Sequence, residues 1–200
     1  MNITEDEIKI SIPTSWNEIT IGQFQEYMEV SEDASLAGYK KIIHQMAIIT
    51  DTDEEVFYNM PYNYLYTIQK EINYLSIEPT CEFKPIINID GTDYGFQKDF
   101  HKLSLGEWID LEHYVTNGII KNLHYIAAIL YRPITKPSTA FFDYEIAPCN
   151  TVQLENSARY IQNHISIEQI YGISVFFYHI VKEFLTPISS YSKVEMTKKN

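Results

Sequence analysis

The sequence predicts an α+β fold, predominantly α-helical with a small antiparallel β-sheet. Three observations carry this. Apolar residues recur mostly at three- and four-residue steps, the spacing of one helix face. Strand-like alternation is confined to two short stretches, one near residue 10 and one near residue 90. Finally, one phrase is written twice, "ITIGQFQEY" from Ile19 and "LSLGEWIDL" from Leu103, 84 positions apart.

Taken in order, Ile8, Ile10 and Ile12 alternate as a half-buried strand does. Trp16 follows, and then the first copy of the phrase. Thr20 and Gln23 have the S/T-x-x-E/Q spacing of a capping box, which starts a helix by satisfying two orphan backbone donors at once. Ile19 before the cap and Phe24 four residues after it have the spacing of a hydrophobic staple. A second helix carries positions 39, 42, 43, 46 and 50 along one face. Thr52 and Glu55 predict a further capping box and a short helix to about Asn59. Pro61 restarts a helix to about Leu75, with Leu65, Ile68, Ile72 and Leu75 facing inward. Tyr58, Tyr62 and Tyr66 recur at four-residue steps on a different face.

The second copy has the same surroundings. "FKPIINIDGTDYGF" reads as a hairpin, because Asp90-Gly91 supplies the pair that a two-residue type I′ turn demands. Ser104 and Glu107 repeat the capping box, with Leu103 and Trp108 at the staple positions. Downstream, "LHYIAAI" from Leu123 corresponds to "IHQMAII", which pairs His124 with His44, Ile126 with Met46 and Ala127 with Ala47. Positions 119, 123, 126, 127 and 130 keep helical spacing. The chain is therefore read as two degenerate strand–helix–helix repeats and a C-terminal helical segment within one compact domain, 1–200. Repeat 1 covers about 8–50, a helical connector 52–76 and repeat 2 about 83–131. A Pro-punctuated extended arm covers 132–150, helices 152–186 and a polar tail 187–200. The first C-terminal helix runs from about Val152 to Asn163. Ser166-x-x-Gln169 caps the last, which is apolar almost all round from Ile173 to Val181.

Hydrophobic content of 45%, with only 7 Gly and 8 Pro, is that of a folded chain. The net charge of −12 repels phosphate backbones and anionic membranes, which argues against nucleic-acid and membrane-surface binding. Cys81 and Cys149 belong to no CxxC pair and read as free thiols of a reducing compartment. The longest apolar run, "ISVFFYHIV", is too short to span a bilayer.

No residue pattern with catalytic, cofactor-binding or metal-ligating spacing stands out. The motifs H-E-x-x-H, G-x-G-x-x-G, P-loop and G-x-S-x-G are missing from the sequence. "DTDEE" lacks the glycine and the distal glutamate of a calcium loop and reads as a helix cap. Tyrosine is over-represented, at 16 residues beside 10 Phe and 2 Trp. It tolerates half-wet positions and is enriched at protein contacts. The candidate interface residues are Tyr58, Tyr62 and Tyr66, the paired His44 and His124, and Phe176 and Tyr178 on the apolar last helix. Thr20, Gln23, Phe24, Ser104, Glu107 and Trp108 are structural caps and staples. On that reading Ser104→Ala should cost roughly 0.5–2 kcal/mol in a urea melt and leave partner binding intact.

Several stretches resemble a family from tailed bacteriophages of Bacteroidetes hosts, including crAss-like phages. They are Pro13, Trp16, Glu18 and Thr20; then Ser104, Gly106, Glu107, Trp108 and Asp110; then Leu130, Arg132 and Pro133. The resemblance covers roughly residues 8–133. It implies a non-enzymatic virion or assembly protein, assembled in the host cytoplasm. One role is a ring or adaptor subunit of the portal–neck–tail assembly, a homo-oligomer that contacts portal, neighbouring ring or tail proteins near the DNA exit channel. Another is a tail-assembly chaperone that binds tail or tape-measure protein transiently. A third reading is an enzyme built from dispersed carboxylates.

Overall fold

The structure, a computed structural model, describes residues 2–5, 8–79, 82–137 and 143–180, with side chains described for all of these but 2–9, 151, 175 and 177–180. It is α+β, mostly helical, with a small antiparallel sheet, as the sequence predicts. The chain divides into two compact units. One is Met1–Thr80 with Tyr160–Gln169; the other is Cys81–Arg159 with Ile170–Asn200.

The first unit opens with a hairpin of β1 (Asn2–Glu5) and β2 (Ile8–Ser11). A 3₁₀ turn at Trp16–Glu18 leads to α1 (Ile21–Glu32) and α2 (Gly38–Thr50). The connector forms α3 (Glu54–Asn59), α4 (Tyr62–Glu71) and a 3₁₀ turn at Ile72–Ser76. Its core gathers Ile10, Ile12, Ile43, Met46, Phe57 and Ile68, with Leu65 and Ile72 packed against it. Trp16 meets Phe24 and Tyr74 edge-on at 5.4 and 5.6 Å, and its indole N–H donates to the Ile77 carbonyl. Residues 19–21 also pair with 165–167, through Ile21 N–H to Ile165 O at 3.0 Å and Ile167 N–H to Ile19 O at 2.8 Å.

The second unit is built on a sheet of order β3-β4-β5-β6. It comprises β3 (Ile86–Ile89), β4 (Thr92–Phe96), β5 (Tyr131–Lys136) and β6 (Glu145–Ile146), all antiparallel. Asp90 and Gly91 both have positive φ, 48° and 82°, the backbone that a type I′ turn requires. A 3₁₀ turn at Phe100–Lys102 precedes α5 (Leu105–Thr116) and α6 (Leu123–Leu130). Then come α7 (Leu154–His164) and α8 (Ile167–Ile180), each of which contributes residues to both units.

The two repeats match more closely than the sequence suggested. Adding 84 to the bounds of β1, the 3₁₀ turn at Trp16–Glu18 and α1 gives those of β3, the 3₁₀ turn at Phe100–Lys102 and α5. The hairpin registers agree as well: Asn2 faces Ser11, and Ile86 faces Gly95. The repeated unit is thus a hairpin, a 3₁₀ turn, a capped helix and a second helix. Sequence reading matched only one strand of each hairpin.

Three expectations change. The cap of α3 is Asp53, whose carboxylate accepts the Glu55 N–H at 2.8 Å, and not Thr52. Tyr39 keeps helical spacing with the core residues of α2 yet lies 58% exposed. The arm at 132–150 is not without regular structure, because it contributes β5 and β6. Pro133 is tolerated in β5 because its carbonyl accepts Ala147 N–H at 2.9 Å on the β6 side. Its missing N–H faces that side too, where pairing is short and irregular, so the ladder to β4 keeps its donors. The first repeat lacks such a strand. Gln97 N–H binds Leu130 O at 2.7 Å as the chain enters β5, whereas the corresponding position 13 is a proline with no N–H. The chain instead turns at Asp51, with φ 49°, into α3. The far end of the last helix beyond residue 180 and the tail 187–200 lie outside the described residues.

Candidate protein-interaction surface

Within the first unit, α2, α3 and α4 enclose a cleft of about 190 Å³ lined by Tyr39, Ile43, Phe57, Tyr58, Met60, Pro61, Tyr62 and Leu65. Its shape follows from local sequence. Met60-Pro61 breaks the chain between α3 and α4, because Pro61 cannot continue a helix begun before it. Ile68, Leu65 and Phe57 then face the core and turn the tyrosines outward. Tyr39, Tyr58, Tyr62 and Tyr66 are 58%, 54%, 71% and 71% exposed. Tyr39 and Tyr62 meet edge-to-face with centroids 6.1 Å apart and hydroxyls 3.3 Å apart. That hydrogen bond raises the Tyr39 pKa. Tyr66 continues the exposed stripe beyond the cleft.

The interface candidates therefore separate. Tyr58 and Tyr62 come together in the cleft, and Tyr66 lies along the same stripe. Tyr39, which its spacing placed with the core, joins them. The signal for it was present: a large aromatic at the first turn of a helix, preceded by Gly38 at φ 62°. His44 sits one turn along α2, with Nδ1 2.9 Å from Glu54 Oε1, off the line of a hydrogen bond and ionic only when the ring is protonated. Phe176 lies in an aromatic cluster of the second unit, stacked on Phe83 at 5.3 Å and edge-on to Phe96 at 5.7 Å. That makes it a half-buried packing residue of its own unit. The Tyr178 side chain lies outside the described residues. Leu105 and Ile109, one turn apart on α5, are exposed apolar residues that sequence reading passed over.

His124 is half-buried and tilted against Tyr125 at 4.4 Å. Burial lowers its pKa, and the Glu155 charge opposes this. A depressed folded-state value favours the neutral ring, so this contribution to stability is present above the ordinary histidine range and fades as pH falls through it. Tyr125 donates its hydroxyl proton to Glu155, which pushes the phenol up to about 12 and lowers the Glu155 pKa.

The capping residues do more than cap. In the first repeat the Thr20 hydroxyl accepts the Gln23 N–H at 3.2 Å, and Gln23 Oε1 accepts the Thr20 N–H at 3.0 Å. The amide end of the same Gln23 donates to the Ile48 and Ile49 carbonyls near the C-terminus of α2. In the second repeat Glu107 Oε2 accepts the Ser104 N–H at 2.6 Å, and Ser104 Oγ accepts the Glu107 N–H at 3.2 Å. Glu107 Oε1 then accepts from Arg132 Nη1 at 3.0 Å, and both residues are 7% exposed. The N3 residue of each capping box thus ties the start of the first helix to the last turn of the second in repeat 1, and to β5, just after the second helix, in repeat 2. It uses an amide donor where carbonyls wait and a carboxylate where an arginine waits. Cys149 lies half-buried beside this pair, its thiol pKa raised by burial and then by Glu107. Phe24 is buried at its staple position and Trp108 half-buried at the matching one.

Among the described residues, no group of three or more His, Cys, Asp or Glu could hold a metal ion. No described helix is long and apolar enough to cross a membrane. No protein-family model, curated protein or solved structure matches the chain.

Proposed function

We propose that the chain is a non-enzymatic structural protein of a tailed-phage particle, a ring or adaptor subunit of the portal–neck–tail assembly that works through protein–protein contacts. The exposed tyrosine cleft carries this reading. Three exposed tyrosines around an apolar hollow, with Tyr66 continuing the stripe beyond it, form the kind of amphipathic aromatic patch that anchors protein interfaces. At about 190 Å³ the hollow falls below the roughly 300–1,000 Å³ of small-molecule sites and suits a side-chain anchor. The sequence resemblance adds the phage context. It also gains a physical meaning, because Glu107 and Arg132, both in the resembling motifs, are the buried pair that holds the second repeat together. A surface of net charge −12 suits a wall past which DNA must move without adhering.

Quantitative mass spectrometry of purified particles tests the proposal. The expected result is the protein present in fixed stoichiometry with the portal protein. Absence from particles, with recovery alongside tail or tape-measure precursors, would make it an assembly chaperone instead.

A further inference from the structure

We propose that the tyrosine cleft seats a lysine or arginine side chain of the partner protein, held against tyrosine ring faces and drawn in by the carboxylates that start α3. The inference rests on the assembly reading only in taking the occupant to be a protein. Three features point to a cation. The eight lining residues include no charged side chain, so nothing in the wall competes for the site. Aromatic ring faces attract a cation placed within roughly 6 Å of the centroid. The edge-to-face arrangement of Tyr39 and Tyr62, with both rings more than half exposed, leaves ring face available. Lastly, "DTDEE" puts four carboxylates, Asp51, Asp53, Glu54 and Glu55, just before and within the first turn of α3.

Glu54 and Glu55 precede Tyr58 by four and three residues, which places all three along one side of α3. Asp51, Asp53 and Glu55 are exposed. On the opposite helix, Lys41 Nζ is held by the carbonyls of Ser31 at 2.6 Å and Asp33 at 3.3 Å, and Lys40 adjoins Tyr39. Glu54 faces His44 and Asp53 caps α3, so Glu55, one turn before Tyr58, is the exposed carboxylate of α3 that remains on the cleft side. Its apolar floor of Ile43, Met60 and Leu65 suits the methylene stem that a lysine or arginine buries while its charged head stays near water.

The probes are three blocked peptides of one sequence that differ only at a central Arg, citrulline or Leu. Each is titrated into the full chain while the ring signals of Tyr39, Tyr58 and Tyr62 are followed by NMR. The Arg peptide should shift all three rings and bind about tenfold more tightly than the uncharged, isosteric citrulline peptide, with the preference shrinking as salt is added. Tyr62→Ala should abolish the preference and Tyr62→Phe should keep it, while Glu55→Gln should weaken it. Tyr62 is 71% exposed, so its replacement leaves the core untouched. Equal binding of the citrulline or Leu peptide, rings that stay silent at saturating Arg peptide, or a preference that survives Tyr62→Ala would each overturn the proposal. Arg selectivity in a protein absent from particles would sink the assembly reading alone. Presence in particles without Arg selectivity would sink this inference alone.

Discussion

Replacing Arg132 by Met should lower the unfolding free energy by about 3–5 kcal/mol, and Glu107→Leu should cost a similar amount. Each change strands the other charge in a site where both residues are 7% exposed, and a buried charge without its partner loses hydration for nothing. Glu107→Leu also removes one arm of the α5 capping box, so it should be the more damaging of the two. Making both changes together should cost much less than the sum, because two apolar side chains of similar volume remove the uncompensated charge. A urea-denaturation double-mutant cycle measures this coupling directly. Single variants within about 0.5 kcal/mol of wild type would mean that the pair is solvated and has been misplaced.

Met46→Ala and Ile126→Ala should each cost about 2–5 kcal/mol. The two residues hold the same place on the second helix of their repeats, and both are fully buried. Each truncation opens a cavity under a helix whose C-terminal end, or the strand directly after it, is tied back by the N3 capping residue, which limits how far the site can collapse. Hydrogen exchange gives the clearest readout. Met46→Ala should raise exchange in α2 and its surroundings, and Ile126→Ala should do the same around α6. Replacing His44 or His124, two positions earlier and only partly buried, should have smaller effects in the same assay.

Much of this fold was legible because local chemistry dictates it. Asp90-Gly91 demanded its turn, and the two capping boxes announced α1 and α5 to the residue. Apart from the cap of α3, a local choice between Thr52 and Asp53, the misses depended on partners distant in sequence. Pro133 and Pro137 read as breakers because proline usually excludes a central strand, and only the irregular β6 pairing makes Pro133 harmless. Gln23 and Glu107 looked like equivalent helix punctuation. Their second role needs the end of the following helix folded back on them, which no local pattern encodes. One clue was available, since Arg132 is one of two arginines in the chain and follows the apolar run "IAAILY". An arginine just after so apolar a run implies a carboxylate, and Glu107 was the capping residue that could supply it. The tyrosine stripe was visible at four-residue steps, but its closure against Tyr39 was not. Helical spacing alone put Tyr39 with the core, and the first turn of α2 projects past it.

Two copies of one hairpin–helix–helix unit form the scaffold, and the proposed contact surface is the tyrosine patch of the first. Hydroxyl-radical footprinting of the protein, free and within purified particles, tests this most directly. Tyr39, Tyr58, Tyr62 and Tyr66 should label readily in the free protein and be strongly protected in the particle. Equal labelling of these four residues in both states would contradict it.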